Sequence, residues 1–185
     1  MAHAMQAVGE KEGVFELRKY TIKAESFPAF LELTAENMHL RTAYSPLLGY
    51  WSVEFGDTIN SVVHLWHYES LNARAAVRAA LVKDTAWGQG YMAKMRPMLV
   101  AQDAVIIKPS DNVPFKANDL GIYELRVGRN VRTDNEIMRG SVVHGSAADV
   151  SIGGLDKFPS AKDSKPLEDG STSLIMLPVS FSPMQ

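Results

Sequence analysis

The sequence predicts an α+β fold built on a ferredoxin-like unit. Alternating apolar and polar residues mark several strands, and a Gly56-Asp57 turn separates two of them. Two other stretches carry apolar residues at helical spacing, the first after Ser26 and the second after Ser70. The resulting order is β, α, β, β, α, β, which is the split βαβ arrangement of ferredoxin-like domains.

The elements before that turn are predicted from alternation and capping residues. Val14 to Ile22 alternates as a strand with one buried face does. Ser26 is the expected N-cap of the first helix, and Pro28 lies in its first turn, where the missing N–H costs little. Ser45-Pro46 ends the helix, and Leu47 to Phe55 forms the next strand. The core-facing stripe of the helix comprises Phe27, Phe30, Leu31, Thr34 and Met38.

The elements after the turn complete the unit. Ile59 to Tyr68 is predicted as the third strand, and Ser70 as the cap of the second helix. A short third helix starts at Asp84-Thr85, and the last strand runs from Met98 to Lys108. The second helix has an apolar row, Leu71, Ala75, Ala79 and Val82, beside a basic row, Arg74 and Arg78.

A second copy of the pattern begins after a polar, proline-containing segment. Gly121–Arg126 repeats the alternation of Gly13–Arg18, and Ile175–Pro178 repeats Ile106–Pro109. The predicted organisation is a flexible N-terminus, a complete unit, a linker and a shortened second unit, at residues 1–13, 14–108, 109–120 and 121–185.

The interior of this second unit is predicted to be largely irregular between residues 128 and 173. The segment is rich in Gly, Ser, Asp and Lys, with weak apolar content only at Val142-Val143 and Val150–Leu155. Such a composition buries too little apolar area to offset the entropy of ordering. The first and last strands of the second unit should remain and can pair antiparallel.

One complete unit alone leaves an apolar sheet face open, so a homodimer is predicted.

Composition excludes several classes of function. Hydrophobic residues make up 46% of the 185 residues and the net charge is −2, which gives no electrostatic basis for nucleic-acid binding. The absence of cysteine excludes thiol chemistry. No apolar run is long enough to predict a transmembrane segment. The N-terminal MAHAMQAVGEKEG resembles neither a secretory signal nor a mitochondrial presequence, which favours a cytoplasmic protein or a chain whose leader is missing.

His64 and Trp66 share one face of a central strand and admit two interpretations. They can line a pocket inside a barrel, with His64 as ligand or acid-base group. They can instead fill the core, with the imidazole hydrogen-bonded, and this second interpretation is favoured. His64 and His67 lie on opposite faces, so no metal site is predicted.

Other candidates are weaker. His39 and Arg41 can line a cleft with Glu54, or they can compensate the C-terminal dipole of the first helix. Arg74 and Arg78 form a candidate surface for an acidic protein partner. No phosphate-binding loop, nucleophile elbow or triad spacing is present, and no cofactor is predicted. The candidate pocket comprises His39, Arg41, Trp51, Glu54, His64 and Trp66.

Two strings resemble the core signature of the NIPSNAP family. They are HLRTAYSPLLGYWSVEFG, from His39, and NSVVHLWHYESLNARAAVRAAL, from Asn60, and the likeness extends from about Val14 to Lys108. The closing SFSPMQ resembles the C-terminus of one subgroup. The resemblance implies a dimeric α/β-barrel of ferredoxin-like units. It implies no defined reaction, but association with mitochondria, mitophagy signalling and vesicle traffic through protein partners.

Two hypotheses follow from this resemblance. In the first, the chain is a non-catalytic interaction protein in vesicle transport or mitochondrial quality-control signalling. In the second, it is a small-molecule or haem-binding protein similar to the monooxygenases with this barrel, with His64, Trp66 and Arg41 inside. The second rests on fold analogy and is the alternative.

Overall fold

The computed structural model describes residues 13–109, 121–128, 136–142, 149–155 and 171–183. The first half contains β1 (Val14–Ile22), α1 (Phe27–Thr42), β2 (Leu47–Phe55), β3 (Ser61–Tyr68), α2 (Leu71–Lys83) and β4 (Leu99–Pro109). A π-helical turn (Ala86–Met92), a short helix α3 (Ala93–Met95) and a 3-10 turn (Arg96–Met98) connect α2 to β4. The second half contains β5 (Tyr123–Gly128), β6 (Glu136–Val142), β7 (Asp149–Gly154) and β8 (Thr172–Pro178).

The predicted βαββαβ unit is confirmed in the first half. The chain enters α1 from Ser26 with Pro28 in the first turn. Ser70 caps α2 by accepting a hydrogen bond from the Ala73 N–H at 3.1 Å, which satisfies one of the donors that a helix start leaves unpaired. The α+β, ferredoxin-like fold class is confirmed as well.

The eight strands close into one antiparallel barrel. Their order around it is β1-β3-β2-β8-β5-β7-β6-β4, and β4 returns to pair with β1. The two halves meet at two seams, β2 with β8 and β4 with β6. Trp51 lies opposite Pro178 at the first seam, and Ile107 lies opposite Val142 at the second.

Two hydrophobic cores lie on opposite sides of the first-half strands. The barrel core contains side chains from both halves, among them Leu65, Trp51, Tyr123, Ile152 and Met176. The helix-side core lies between the first-half sheet and the helices, and it includes Tyr20, Phe30, Tyr50, Trp66 and Tyr91. Alternation along each first-half strand supplies both cores, because successive side chains point to opposite faces.

The predicted pairing of the first and last strands of the second unit is confirmed, with Tyr123 opposite Met176. The prediction that the interior of this unit is lost is corrected, because β6 and β7 lie between residues 128 and 173. In β7, Val150 and Ile152 point into the barrel core, while the intervening Ser151 does not belong to it. The composition of residues 128–173 did not predict these strands, because a strand with only two or three inward apolar residues barely changes the average over 46 residues.

The homodimer prediction loses its physical basis, since β5–β8 cover the sheet face that the first half would leave open. The predicted flexible N-terminus and most of the linker lie outside the described residues, as does most of the stretch predicted to be irregular. No helix in the described ranges combines the length and apolar composition needed to cross a bilayer.

Candidate functional site

His64 lies in the helix-side core and not in the barrel. Its Nδ1 accepts a hydrogen bond from Trp66 Nε1 at 2.6 Å. The Tyr50 ring stacks on the imidazole, with centroids 4.8 Å apart and planes 6° apart, and Tyr20 meets it edge-on at 4.8 Å. The interpretation of His64 and Trp66 as a pocket inside the barrel is therefore wrong, because both side chains point away from it. Their contacts fit the core-filling interpretation.

The surroundings of His64 hold the imidazole neutral. Burial lowers its pKa well below the ordinary value, and the positive charges of Arg18 and Arg41 lower it further. Nε2 has no hydrogen-bond partner among the described residues. A histidine in this state is a poor general acid near neutral pH, since the protonated form is disfavoured.

A buried polar network runs beside His64, between the sheet and α1 and α2. Arg41 donates to the Ser45 hydroxyl at 2.5 Å and to the Tyr68 hydroxyl oxygen at 2.6 Å. Tyr68 in turn donates to Glu16 Oε2 at 3.0 Å. Arg74, on α2, donates to Glu16 Oε1 at 2.6 Å. The network thus ties α1 and α2 to β1 and β3.

Glu16 is the anionic centre of this network and is only 1% exposed. Burial by itself raises the pKa of its carboxyl, but the hydrogen bond from Arg74 and the charge of Arg18 outweigh that effect and hold the pKa below the ordinary value. The carboxylate is therefore ionised and each of its oxygens accepts a hydrogen bond. Arg41 also lies over the Trp66 ring, 4.1 Å from its centroid, which links the network to His64.

The six candidate pocket residues do not form one site. Arg41, His64 and Trp66 come together under the helices, whereas Trp51 lies in the barrel core, 5.6 Å from Tyr123. His39 is exposed on α1, and Glu54 accepts a hydrogen bond from Ser52 near the end of β2. Across the described residues, no group of His, Asp and Glu side chains has the arrangement of a metal site.

Glu16 and Tyr68 are members of this network that were not predicted from the sequence. A signal was present, because Glu16 and Arg18 occupy the polar face of β1, and Glu124 and Arg126 recur at the equivalent positions of β5. A carboxylate on a strand covered by helices needs a buried cation as partner. Arg74, predicted on a partner surface, is that cation.

The outward face of α2 is unexpectedly apolar. Leu71 is 45% exposed and Val82 is 87% exposed, and the intervening Ala75 and Ala79 are exposed too. Leu81 is the buried residue of this helix. The apolar row predicted on α2 therefore faces solvent.

Sequence comparison relates the first half to known proteins. The NIPSNAP family model matches residues 15–114. NipSnap homolog 3A of Homo sapiens is 40% identical over 119 residues, which are 62% of this chain and 47% of that protein. NipSnap homolog 3B of Mus musculus is 44% identical over 113 residues, 60% of this chain and 45% of that protein. The chain spans about half the length of these relatives.

Some solved structures are similar to about half of this chain, and others are similar to nearly all of it. An uncharacterized NIPSNAP domain protein from Burkholderia xenovorans is 33% identical, with a TM-score of 0.51, over 55% of this chain and 98% of its own. A candidate monooxygenase from Lactobacillus acidophilus covers 91% of this chain and 94% of its own, with a TM-score of 0.59 at 12% identity, a likeness of fold alone. The match over residues 15–114, more than half of the chain, establishes that this protein belongs to the NIPSNAP family.

Proposed function

We propose that this chain is a non-catalytic interaction protein that acts through protein partners, in vesicle transport or mitochondrial quality-control signalling. Its expected location is the cytoplasm, with association to mitochondria. Family membership supports the class of function, and the outward face of α2 is the observation that carries it. That face offers a partner surface beside the buried network.

The helix α2 is apolar on two sides. Val77 packs against the helix-side core, and Leu81 is buried. On the other side, Leu71 and Val82 are large apolar residues at opposite ends of an exposed alanine row. A surface helix normally presents polar residues to water, and a contiguous exposed apolar surface indicates binding to another protein.

The charges beside this row indicate the chemistry of the partner. The exposed cations of α2 are Arg78 and Lys83, and the helix contains no acidic residue. Arg74, the other half of the predicted basic pair, is engaged by Glu16. An amphipathic helix with acidic residues flanking an apolar stripe would complement this surface in both shape and charge.

The alternative, a haem or monooxygenase-like site at His64, Trp66 and Arg41, has less support. Tyr50 covers one face of the imidazole, and Nδ1 is engaged by the Trp66 N–H. Arg41 is engaged by Ser45 and Tyr68. A ligand would have to displace these contacts before it could bind.

The test uses proximity labelling in cells that express the tagged chain, with mitochondrial and cytosolic fractions analysed separately. Val82→Glu places a charge in the exposed row of α2, and Ala35→Glu makes the same kind of change on the exposed face of α1 as a matched control. We expect Val82→Glu to deplete the specifically labelled proteins at least about tenfold, because a charge replaces the most exposed large apolar side chain of the row. Ala35→Glu should leave them unchanged.

Two outcomes would overturn the proposal. One is a labelled set that Val82→Glu leaves intact although the variant melts like the wild type. The other is stoichiometric haem binding by the purified protein, seen as an absorption band that His64→Phe abolishes.

Sedimentation of the same preparation tests self-association. With the barrel closed by one chain, we expect a monomer of 20.4 kDa.

A further inference from the structure

A cavity of about 230 Å³ opens at one end of the barrel. Its wall is apolar and comes from both halves: Leu17, Val63, Val105, Leu125, Val127 and Leu174. Leu17 faces Val105 across the β1–β4 pair, and Leu125 faces Leu174 across the β5–β8 pair. The cavity therefore exists because the second half closes the barrel, and it is separate from the buried network under the helices.

The size of the cavity limits the occupant. An apolar cavity of about 150 Å³ holds benzene. By the same ratio, about 230 Å³ accommodates roughly nine non-hydrogen atoms. A medium-chain aliphatic molecule or a fused bicyclic aromatic has this size, whereas haem and flavin are far too large.

The rim of the cavity carries one cation and two anions. Lys19 hydrogen-bonds the Asp57 carboxylate and also lies opposite Asp103 in the β1–β4 register. The hydrogen bond from Lys19 lowers the pKa of Asp57, which keeps that carboxyl ionised at neutral pH. The charged residues that line the cavity therefore sum to −1.

This charge balance discriminates between polar head groups. The Lys19 ammonium already has a carboxylate partner, Asp57. An incoming anion would therefore find no unpaired cation on the rim and would be repelled by the carboxylate of Asp103. A neutral hydroxyl can donate to a carboxylate of the rim or to the Thr172 hydroxyl, which also lines the cavity. An aliphatic body in the cavity would bury its methylene groups against six apolar side chains.

We propose that the mouth of the barrel binds a small, uncharged apolar molecule with a single hydroxyl group, of the class of medium-chain alcohols, and discriminates against the corresponding carboxylates. This site is independent of the protein-binding surface on α2. Failure of one proposal does not affect the other, because the two surfaces share no residue.

The test compares n-octanol with octanoate by isothermal titration calorimetry on the full chain at neutral pH. The two probes share a chain length and differ in head-group charge. We expect saturable, one-to-one binding of n-octanol with a Kd on the order of 100 µM, from the size of the ligand. Octanoate should bind at least about tenfold more weakly. Absence of saturable n-octanol binding, or equal affinity for the two probes, would overturn the proposal.

Variants locate the site. Val105→Phe fills the cavity and should abolish n-octanol binding, while Val100→Phe, at a 66% exposed position of the same strand, should not. If Val105→Phe does not fold, Val127→Leu narrows the cavity more gently and should weaken binding several-fold. Asp103→Asn removes one rim charge and should strengthen octanoate binding several-fold, which narrows the difference in affinity between the two probes. A folded Val105→Phe or Val127→Leu protein with wild-type affinity would refute the assignment.

Discussion

The two halves of the barrel contain the same set of four antiparallel strands but differ on their outer faces. In the first half, α1 and α2 pack on the sheet through the helix-side core. In the second half, the described residues contain strands and no helix. Both halves nevertheless contribute to one barrel core. Inward apolar side chains therefore place a strand in the barrel both where helices cover its outer face and where the described residues include none.

Equivalent carboxylates make the difference concrete. Glu16 on β1 and Glu124 on β5 both point away from the barrel core, and an arginine follows two residues later in each strand. Glu16 binds Arg74 and Tyr68 under the helices. Glu124 accepts from Arg126 at 2.8 Å and from Ser173 at 2.6 Å. In the first half, a second element contributes a cation, and in the second half the strands themselves provide the described partners.

The largest effect is expected from breaking the inner face of the second half. Ile152→Ala should lower the free energy of unfolding by about 2–5 kcal/mol, because the side chain is fully buried in the barrel core. Trp66 belongs to the helix-side core and Trp87 packs against it, whereas Trp51 touches the second half through Tyr123. In a Trp51→Phe background, fluorescence during urea unfolding therefore reports the first half. A shifted midpoint would show that the halves unfold together. An unshifted midpoint would mean that they are independent.

Val82→Ala is the control for this measurement. The side chain is 87% exposed, so its loss should change the free energy of unfolding by less than about 0.5 kcal/mol.

The next largest effect is the difference between Glu16 and Glu124 in their contribution to the free energy of unfolding. Glu16→Gln leaves the part-buried side chains of Arg74 and Arg18, 23% and 20% exposed, without a counter-charge and should cost about 3 kcal/mol. Glu124→Gln should cost about 1 kcal/mol, because Arg126 is 38% exposed and water can solvate its charge. Urea unfolding of both variants gives the comparison. Equal losses would indicate that the helices add nothing to the strength of the first-half network.

A pH effect is expected from the first half. The pKa of His64 is lowered in the folded state, so between that value and about 6.5 the unfolded chain binds a proton that the folded chain does not. Stability should therefore fall as pH falls below about 6.5, by up to roughly 1.4 kcal/mol per pH unit. His64→Phe keeps the stack on Tyr50 and should flatten this slope. His39→Gln, at an exposed position, should retain it. The assignment fails if the His64→Phe slope matches the wild type.

The smallest effect is expected at the rim of the barrel. The Lys19 and Asp57 side chains are 22% and 38% exposed, so their ion pair is solvated. Lys19→Gln should lower the free energy of unfolding by less than about 1 kcal/mol in thermal melts. A loss comparable with that of Glu16→Gln would show that the rim, and not the covered network, stabilises the first half.

Local sequence was sufficient to locate most of the first half. Alternation placed β1 and β2 at their observed bounds, and Ser70 marked the start of α2, because these signals depend on neighbouring residues alone. It also placed His64 and Trp66 on a common face. It could not say which side of the sheet that face meets, since both sides of β3 are apolar and buried.

Contacts between distant segments decided the rest. The inward side chains of β6 and β7 share the barrel core with Trp51 and Leu65 from the first half, and no window of local sequence contains those partners. The sequence predicted Arg74 as part of an exposed basic row, but in the fold it donates a hydrogen bond to Glu16 on β1. Periodicity specifies which residues share a face, because it follows from backbone geometry. The identity of what that face contacts is a property of the closed barrel, since only closure brings residues far apart in the chain within bonding distance.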